Sequence, residues 1–129
     1  MTDFHARLPE MLHLLKKLVE TESPSGDKSA VDRVAALVIE ECRRLGAEVE
    51  IVSNARTGDH VIARWNAHLP GKPILLLHHM DTVYPLGMLE RMPFYSKDGK
   101  TFGPGVLDMK GGIVISLAAI AALQETGLL

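Results

Sequence analysis

The sequence predicts an α/β fold, and three features of it carry that prediction. Residues 74–77 read Ile-Leu-Leu-Leu, an apolar run with the length and composition of a strand buried on both faces. Two stretches in the first 45 residues repeat apolar side chains at helical spacing. Residues 47–53, AEVEIVS, alternate as a half-exposed strand does. A length of 129 residues suits one domain, and 47% hydrophobic with 23% charged residues is ordinary for a globular chain able to build a core.

Composition excludes several classes of partner. Fourteen Lys plus Arg against sixteen Asp plus Glu leave a formal charge of −2, without the basic block of a nucleic-acid groove or an anionic membrane surface. Cys42 is the only cysteine, so no intrachain disulfide forms and nothing argues for an oxidising compartment. The opening MTDFHARLPEMLHLL lacks the pattern of a signal peptide, and the apolar stretch at residues 113–123 is too short to span a bilayer. A cytoplasmic location is expected.

In chain order, Leu8, Met11, Leu12, Leu15, Leu18 and Val19 form the apolar face of a first helix, with Glu10, Lys16, Lys17 and Glu20 between them. Ser23-Pro24-Ser25-Gly26 ends it, because Pro24 disfavours helical geometry at Ser23 and Gly26 permits a sharp turn. That loop is read as punctuation rather than as a substrate contact. A second helix opens on Ser25 or Asp27 as cap, buries Val31, Val34, Ala35, Val38, Ile39, Cys42 and Leu45, and stops at Gly46. Cys42 on that stripe is a small core residue, with no local feature that would activate a thiol. Residues 61–65 are a second strand candidate after the turn formers of 54–59. His5, His13, His60 and His68 have no companions at metal-ligand spacing and are read as solvated. Asp98-Gly99, between residues 94–97 and 100–102, signals a two-residue hairpin. A helix from about 113 to 125 is apolar nearly all round and expects burial on more than one side.

Chemistry concentrates where the central run ends. Ligands of open α/β sheets collect beyond the carboxyl ends of strands, and ILLLHHMDTVY places His78, His79 and Asp81 there. In extended chain, side chains 79 and 81 point one way and 78 the other, so His79 and Asp81 form a pair. An imidazole beside a carboxylate suits zinc, since the carboxylate can hold the tautomer that offers a free ring nitrogen. Downstream, GPGVLDMKGG resists a nucleotide reading. Asp108 stands where a dinucleotide fingerprint needs glycine or alanine, and no Gly-Lys-Ser/Thr follows for a P-loop. Asp108 is then a helix N-cap or a metal corner. Gly111 and Gly112, each costing about 1 kcal/mol relative to alanine inside a helix, weigh toward a place where backbone approaches something closely.

LLLHHMDTVYPLG followed by GPGVLDMKGG resembles the N-terminal part of the zinc-dependent exopeptidase and deacylase family that includes glutamate carboxypeptidase, acetylornithine deacetylase, succinyl-diaminopimelate desuccinylase and aminoacylase. VETESPSGDKSAVDRV and LGAEVE extend the resemblance, and MDTVYP with PFYSKDGKTFGPG bring it nearest to bacterial glutamate carboxypeptidase. The resemblance implies a partial catalytic domain over residues 1–129, with a central mixed sheet flanked by helices and without the C-terminal strands and the lid or dimerisation domain. It implies His79 as a ligand of one zinc, Asp108 as the carboxylate bridging two zincs, and Asp81 as the catalytic residue that orients the site. His78 departs from the family's usual small residue and is not expected to bind metal.

By the same resemblance the expected function is zinc-dependent hydrolysis of an amide or peptide bond in a small peptide or N-acyl amino acid. The family's general-base glutamate, later acidic ligand and final histidine are absent, so a truncated chain, inactive alone, is expected. The alternative is a non-catalytic fragment or interaction module that self-associates through an exposed strand edge and the apolar last helix.

Overall fold

The computed structural model describes residues 3–129. In chain order the elements are α1 (Phe4–Glu20), α2 (Lys28–Arg44), β1 (Glu48–Val52), β2 (His60–Arg64), β3 (Tyr95–Lys97), β4 (Lys100–Phe102) and α3 (Gly111–Glu125). A short 3-10 turn, Met88–Glu90, precedes β3, and a wide irregular turn, Val106–Lys110, leads into α3.

Helix α2 begins and ends where its sequence places the signals. Asp27 caps α2 by accepting the Ala30 amide at 3.0 Å, which decides between the two expected caps. Beyond its last turn Gly46 takes a left-handed φ of 76°. Leu15, Leu18 and Val19 of α1 meet Val34, Val38 and Cys42 of α2 and Ile113, Val114, Leu117 and Ile120 of α3 in one core. Burial pushes the Cys42 thiol up to about 11, in keeping with a packing role. The Leu45 carbonyl at the end of α2 accepts from Trp65 Nε1 at 2.8 Å and from Gln124 Nε2 at 2.7 Å. One orphan carbonyl thus ties the chain after β2 and the end of α3 to α2.

The strands pair as two separate hairpins. β1 and β2 are antiparallel with Val49 opposite Ala63, and the loop between them is held to α2 by Lys28 bridging Asp32 and Asp59. β3 and β4 turn through Asp98 and Gly99 at φ of 52° and 72°, both left-handed as a type I′ turn demands. Tyr95 stacks on Phe102 across that hairpin with ring centroids 4.8 Å apart.

One expectation is corrected here. No central mixed sheet forms among the described residues; there are only the two two-stranded antiparallel sheets. Residues 74–77 run without a strand partner, and Ile74 and Leu75 are 90% and 80% exposed. Burial on both faces requires strands along both edges and layers above and below, and nothing among the described residues supplies them. The total accessible surface is 8573 Å², against about 6,700 Å² for a compact monomer of this mass. By length and composition alone, Val106–Glu125 is a 20-residue helical run apolar enough to cross a membrane. Non-helical backbone at Asp108 and Met109 interrupts the run, leaving the 15 residues of α3 as regular helix. At 1.5 Å per residue that is roughly 22 Å, short of a ~30 Å hydrocarbon layer, and its inner face lies in the helical core. Ile115, at 63% exposed, leaves α3 open on its other side.

Glu22, between α1 and α2, accepts the Gly87 amide at 2.8 Å and the Leu89 amide at 3.1 Å, pinning the start of the 3-10 turn. The Gly87 hydrogen bond is the largest of the influences that hold its carboxyl below the ordinary 4.5, against a smaller opposing effect of burial.

Two measurements check this architecture. Urea unfolding of Leu18→Ala is expected to show a loss of about 2–5 kcal/mol, because Leu18 is wholly buried, whereas Leu75→Ser is expected to stay within about 0.5 kcal/mol. A carboxylate whose folded pKa lies below its unfolded one adds stability above the unfolded value and loses it as pH falls through the folded one. Urea midpoints of the natural chain and Glu22→Gln should therefore differ at pH 7 and converge as pH drops below about 4.5.

Candidate functional site

Beyond residues 74–77 the two successive histidines send their rings to different partners. His78 turns toward α3, where its Nε2 lies 3.0 Å from Ser116 Oγ. His79 turns the other way. Its Nε2 lies 2.8 Å from Asp108 Oδ1, and its Nδ1 lies 3.2 Å from both the Asp81 carbonyl oxygen and Asp81 Oδ1. The structure thus brings His79, Asp81 and Asp108 together, although Asp108 is 29 residues from His79 in sequence.

Electrostatics follow from this contact. Burial alone would lower the His79 pKa, but the Asp108 hydrogen bond and the Asp81 contacts outweigh it and hold the imidazole above its ordinary value. For Asp81 burial pushes the carboxyl up, and the Ser25 hydroxyl together with His79 brings it below the usual range. A protonated His79 donates from both nitrogens. Once neutral with its proton on Nδ1 toward Asp81, the ring presents Nε2 as a lone pair.

Asp108 does not cap α3, which has no side-chain cap; its carboxylate goes to His79 instead. The irregular backbone at Asp108 permits this by turning the residue out of the helical path. The close approach that two successive glycines suggest is internal. A Cβ on Gly111 would sit 2.6 Å from the Val106 carbonyl oxygen, so glycine there lets the turn close on itself. Gly105 meets both demands, with φ of 75° and a Cβ position 2.6 Å from Thr82 Cγ2.

Several supporting residues carry no role in the sequence reading. Lys110 is 1% exposed, and its ammonium donates to the Leu18 carbonyl at 2.7 Å and the Thr21 carbonyl at 2.9 Å. Burial pulls its pKa down to about 8, against the opposing charges of Glu22 and Asp81. Ser23, fully buried, donates from Oγ to the Met80 carbonyl at 2.8 Å. Ser25 donates from its amide and its hydroxyl to the Thr82 carbonyl, and the Thr82 amide returns to the Ser23 carbonyl at 2.7 Å. The loop read as punctuation is therefore bound to the site segment by a short parallel bridge at Pro24 and Thr82. A lysine abutting an apolar helix, and two serines where a proline and a glycine already suffice to stop one, were the available signals.

The donor chemistry fits a metal in part. An imidazole nitrogen and a carboxylate oxygen share one point, and the Asp108 side chain is 83% exposed, leaving coordination positions open. Among the described residues, however, no group of three His, Cys, Asp or Glu is arranged to hold an ion. The site is an open surface; a cavity of about 140 Å³ lies elsewhere, lined by α1, α2 and α3 residues such as Met11, Leu14 and Leu117.

Comparison with known proteins agrees with the motifs. Residues 75–129 match Peptidase family M20/M25/M40. Carboxypeptidase G2 from Pseudomonas sp. (strain RS-16) is 34% identical over 121 residues, covering 92% of this chain and 29% of that protein. Succinyl-diaminopimelate desuccinylase from Corynebacterium glutamicum is 30% identical over 119 residues, covering 92% of this chain and 30% of that protein. The chain spans less than a third of the length of these curated relatives. In those matches, and in the HHMDTVY and GPGVLDMKGG segments, the chain is similar to Peptidase family M20/M25/M40 proteins.

Proposed function

We propose that residues 1–129 form the N-terminal portion of the catalytic domain of a zinc-dependent hydrolase, of carboxypeptidase or N-acyl amino acid deacylase type, acting on amide or peptide bonds in a cytoplasmic setting. Its substrate is a small peptide or an N-acyl amino acid. The observation that carries this reading is the 2.8 Å contact between His79 Nε2 and Asp108 Oδ1, with Asp81 on the other ring nitrogen. His79 and Asp108 would hold zinc, which would lower the pKa of a water and polarise the carbonyl of the scissile bond.

This chain's own residues prepare the donors. Asp81, by accepting the Nδ1 proton, keeps the His79 lone pair on Nε2 and fixes the ring plane. Asp108 keeps a carboxylate edge open to solvent. Ser25 and His79 together draw the Asp81 pKa below the usual carboxylate range. Two protein donors fall short of the three that a catalytic zinc takes, so the isolated chain is expected not to turn over substrate.

Calorimetric titration with zinc, together with assays on N-acyl amino acids and dipeptides ending in glutamate, tests the reading. Weak zinc uptake that disappears in His79→Ala and in Asp108→Ala is expected, without turnover. Uptake unchanged in both variants removes the metal site, and turnover by these 129 residues removes the claim of inactivity.

A second reading, a self-associating interaction module, is favoured by one observation: the unpartnered apolar residues 74–77 and a surface well above that of a compact monomer. Light scattering across a concentration series is expected to show mass rising with concentration, and to show less of it for Leu75→Lys. A constant monomer mass at high concentration ends this reading.

A further inference from the structure

We propose that the turn joining α1 to α2 is the template that sets the candidate site, with Lys110 and Ser23 as positioning residues that hold Asp108 and His79 against one another. Neither member of the pair is fixed by packing. The His79 side chain is 47% exposed and that of Asp108 83%, and Leu107 beside Asp108 is 94% exposed. Side chains so open hold a 2.8 Å contact only if the backbone beneath each is anchored.

Both anchors reach the same short stretch of chain. On the Asp108 side, Lys110 sends its ammonium to the Leu18 and Thr21 carbonyls at the end of α1. On the His79 side, Ser23 donates to the Met80 carbonyl, the Thr82 amide donates to the Ser23 carbonyl, and Ser25 donates twice to the Thr82 carbonyl. Gly105 closes the circuit by lying directly against Thr82. Residues 18–25 thus touch both halves of the site, beside the direct ties from the His79 amide to Met109 Sδ at 3.5 Å and from His78 to Ser116 of α3. Lys110 and Ser23 are 1% and 0% exposed, and each is hydrogen-bonded. Burying an ammonium and a hydroxyl is unfavourable without such partners, and stopping α1 requires neither group. Their placement is explained by what they hold.

The functional meaning of this inference rests on reading His79 and Asp108 as metal donors; the geometry does not, so the test is made without metal. Long-range proton–nitrogen NMR of the imidazole nitrogens reports the state of His79, assigned through His79→Gln, with Asp108→Ala as the reference for a broken pair. Lys110→Met is expected to move the His79 Nε2 resonance to its position in Asp108→Ala. Ser23→Ala is expected to shift both His79 nitrogens partway. Ile120→Val, a core substitution remote from the turn, is the control for general loosening and is expected to leave them in place. His79 resonances unmoved in folded Lys110→Met overturn the proposal, as does an equal movement in Ile120→Val. Should Lys110→Met fail to fold, Ser23→Ala decides: a shift there supports the template, and unmoved nitrogens overturn it.

Discussion

The buried ammonium of Lys110 is the constraint on which the rest of the structure turns. The last carbonyls of a helix have no intrahelical partners and sit at the negative end of its dipole, so the end of α1 is a natural seat for a cation. Lys110 takes that seat with two hydrogen bonds, to Leu18 and Thr21, while Thr21 also bonds back to Lys17. Desolvation draws the lysine pKa down only to about 8, because Glu22 and Asp81 lie near enough to oppose it, so the group stays mostly charged at neutral pH. A charge so enclosed is costly to misplace. Shifting the Val106–Lys110 turn along α1 would leave an ammonium and two carbonyls unpaired together, which fixes the turn and with it Asp108.

From this constraint follows the division of the molecule into a firm part and an open part. Three helices share one core, and the hydrogen bonds to the Leu45 carbonyl and the Lys28 ion pairs fasten β1 and β2 to α2. Residues 74–77 contribute almost nothing to that core, since most of their apolar surface meets solvent. The site lies at the junction: His79 continues the open segment, and Asp108 leads into the packed helix α3. Segments with little buried apolar surface open at low free energy, so the precision of the pair depends on the polar ties from the α1–α2 turn.

The helices were legible because their signals are local. The apolar stripe of α2, its Asp27 cap and its Gly46 stop all lie within one continuous stretch, and so does the Asp98-Gly99 turn. The HHMD segment likewise gave the relative direction of His78, His79 and Asp81, since alternation in an extended chain is a property of neighbours in sequence. The central sheet was not legible. An apolar run states that a segment is suited to burial, not that the elements able to bury it lie among the described residues, and 74–77 remains suited and exposed. Lys110 and Ser23 escaped for the related reason that their partners are backbone carbonyls. Any residue offers a carbonyl, so nothing in the identities of Leu18, Thr21 or Met80 announces that a buried donor will arrive there.

The ionisation of the site ties its present contacts to the role proposed for it. The hydrogen bond from His79 to Asp108 uses the ring nitrogen and the carboxylate oxygen that would coordinate an ion, so a proton and a metal compete for one pair of atoms. Contacts with Asp108 and Asp81 that raise the His79 pKa favour the proton, and occupancy by the proposed metal would therefore be weakest on the acid side of that raised value. Asp81 acts on both outcomes. It stabilises the charged ring, yet once Nε2 has lost its proton the same carboxylate and carbonyl keep the remaining one on Nδ1, which leaves the metal-facing lone pair free. One carboxylate thus holds the imidazole in place in both protonation states of Nε2.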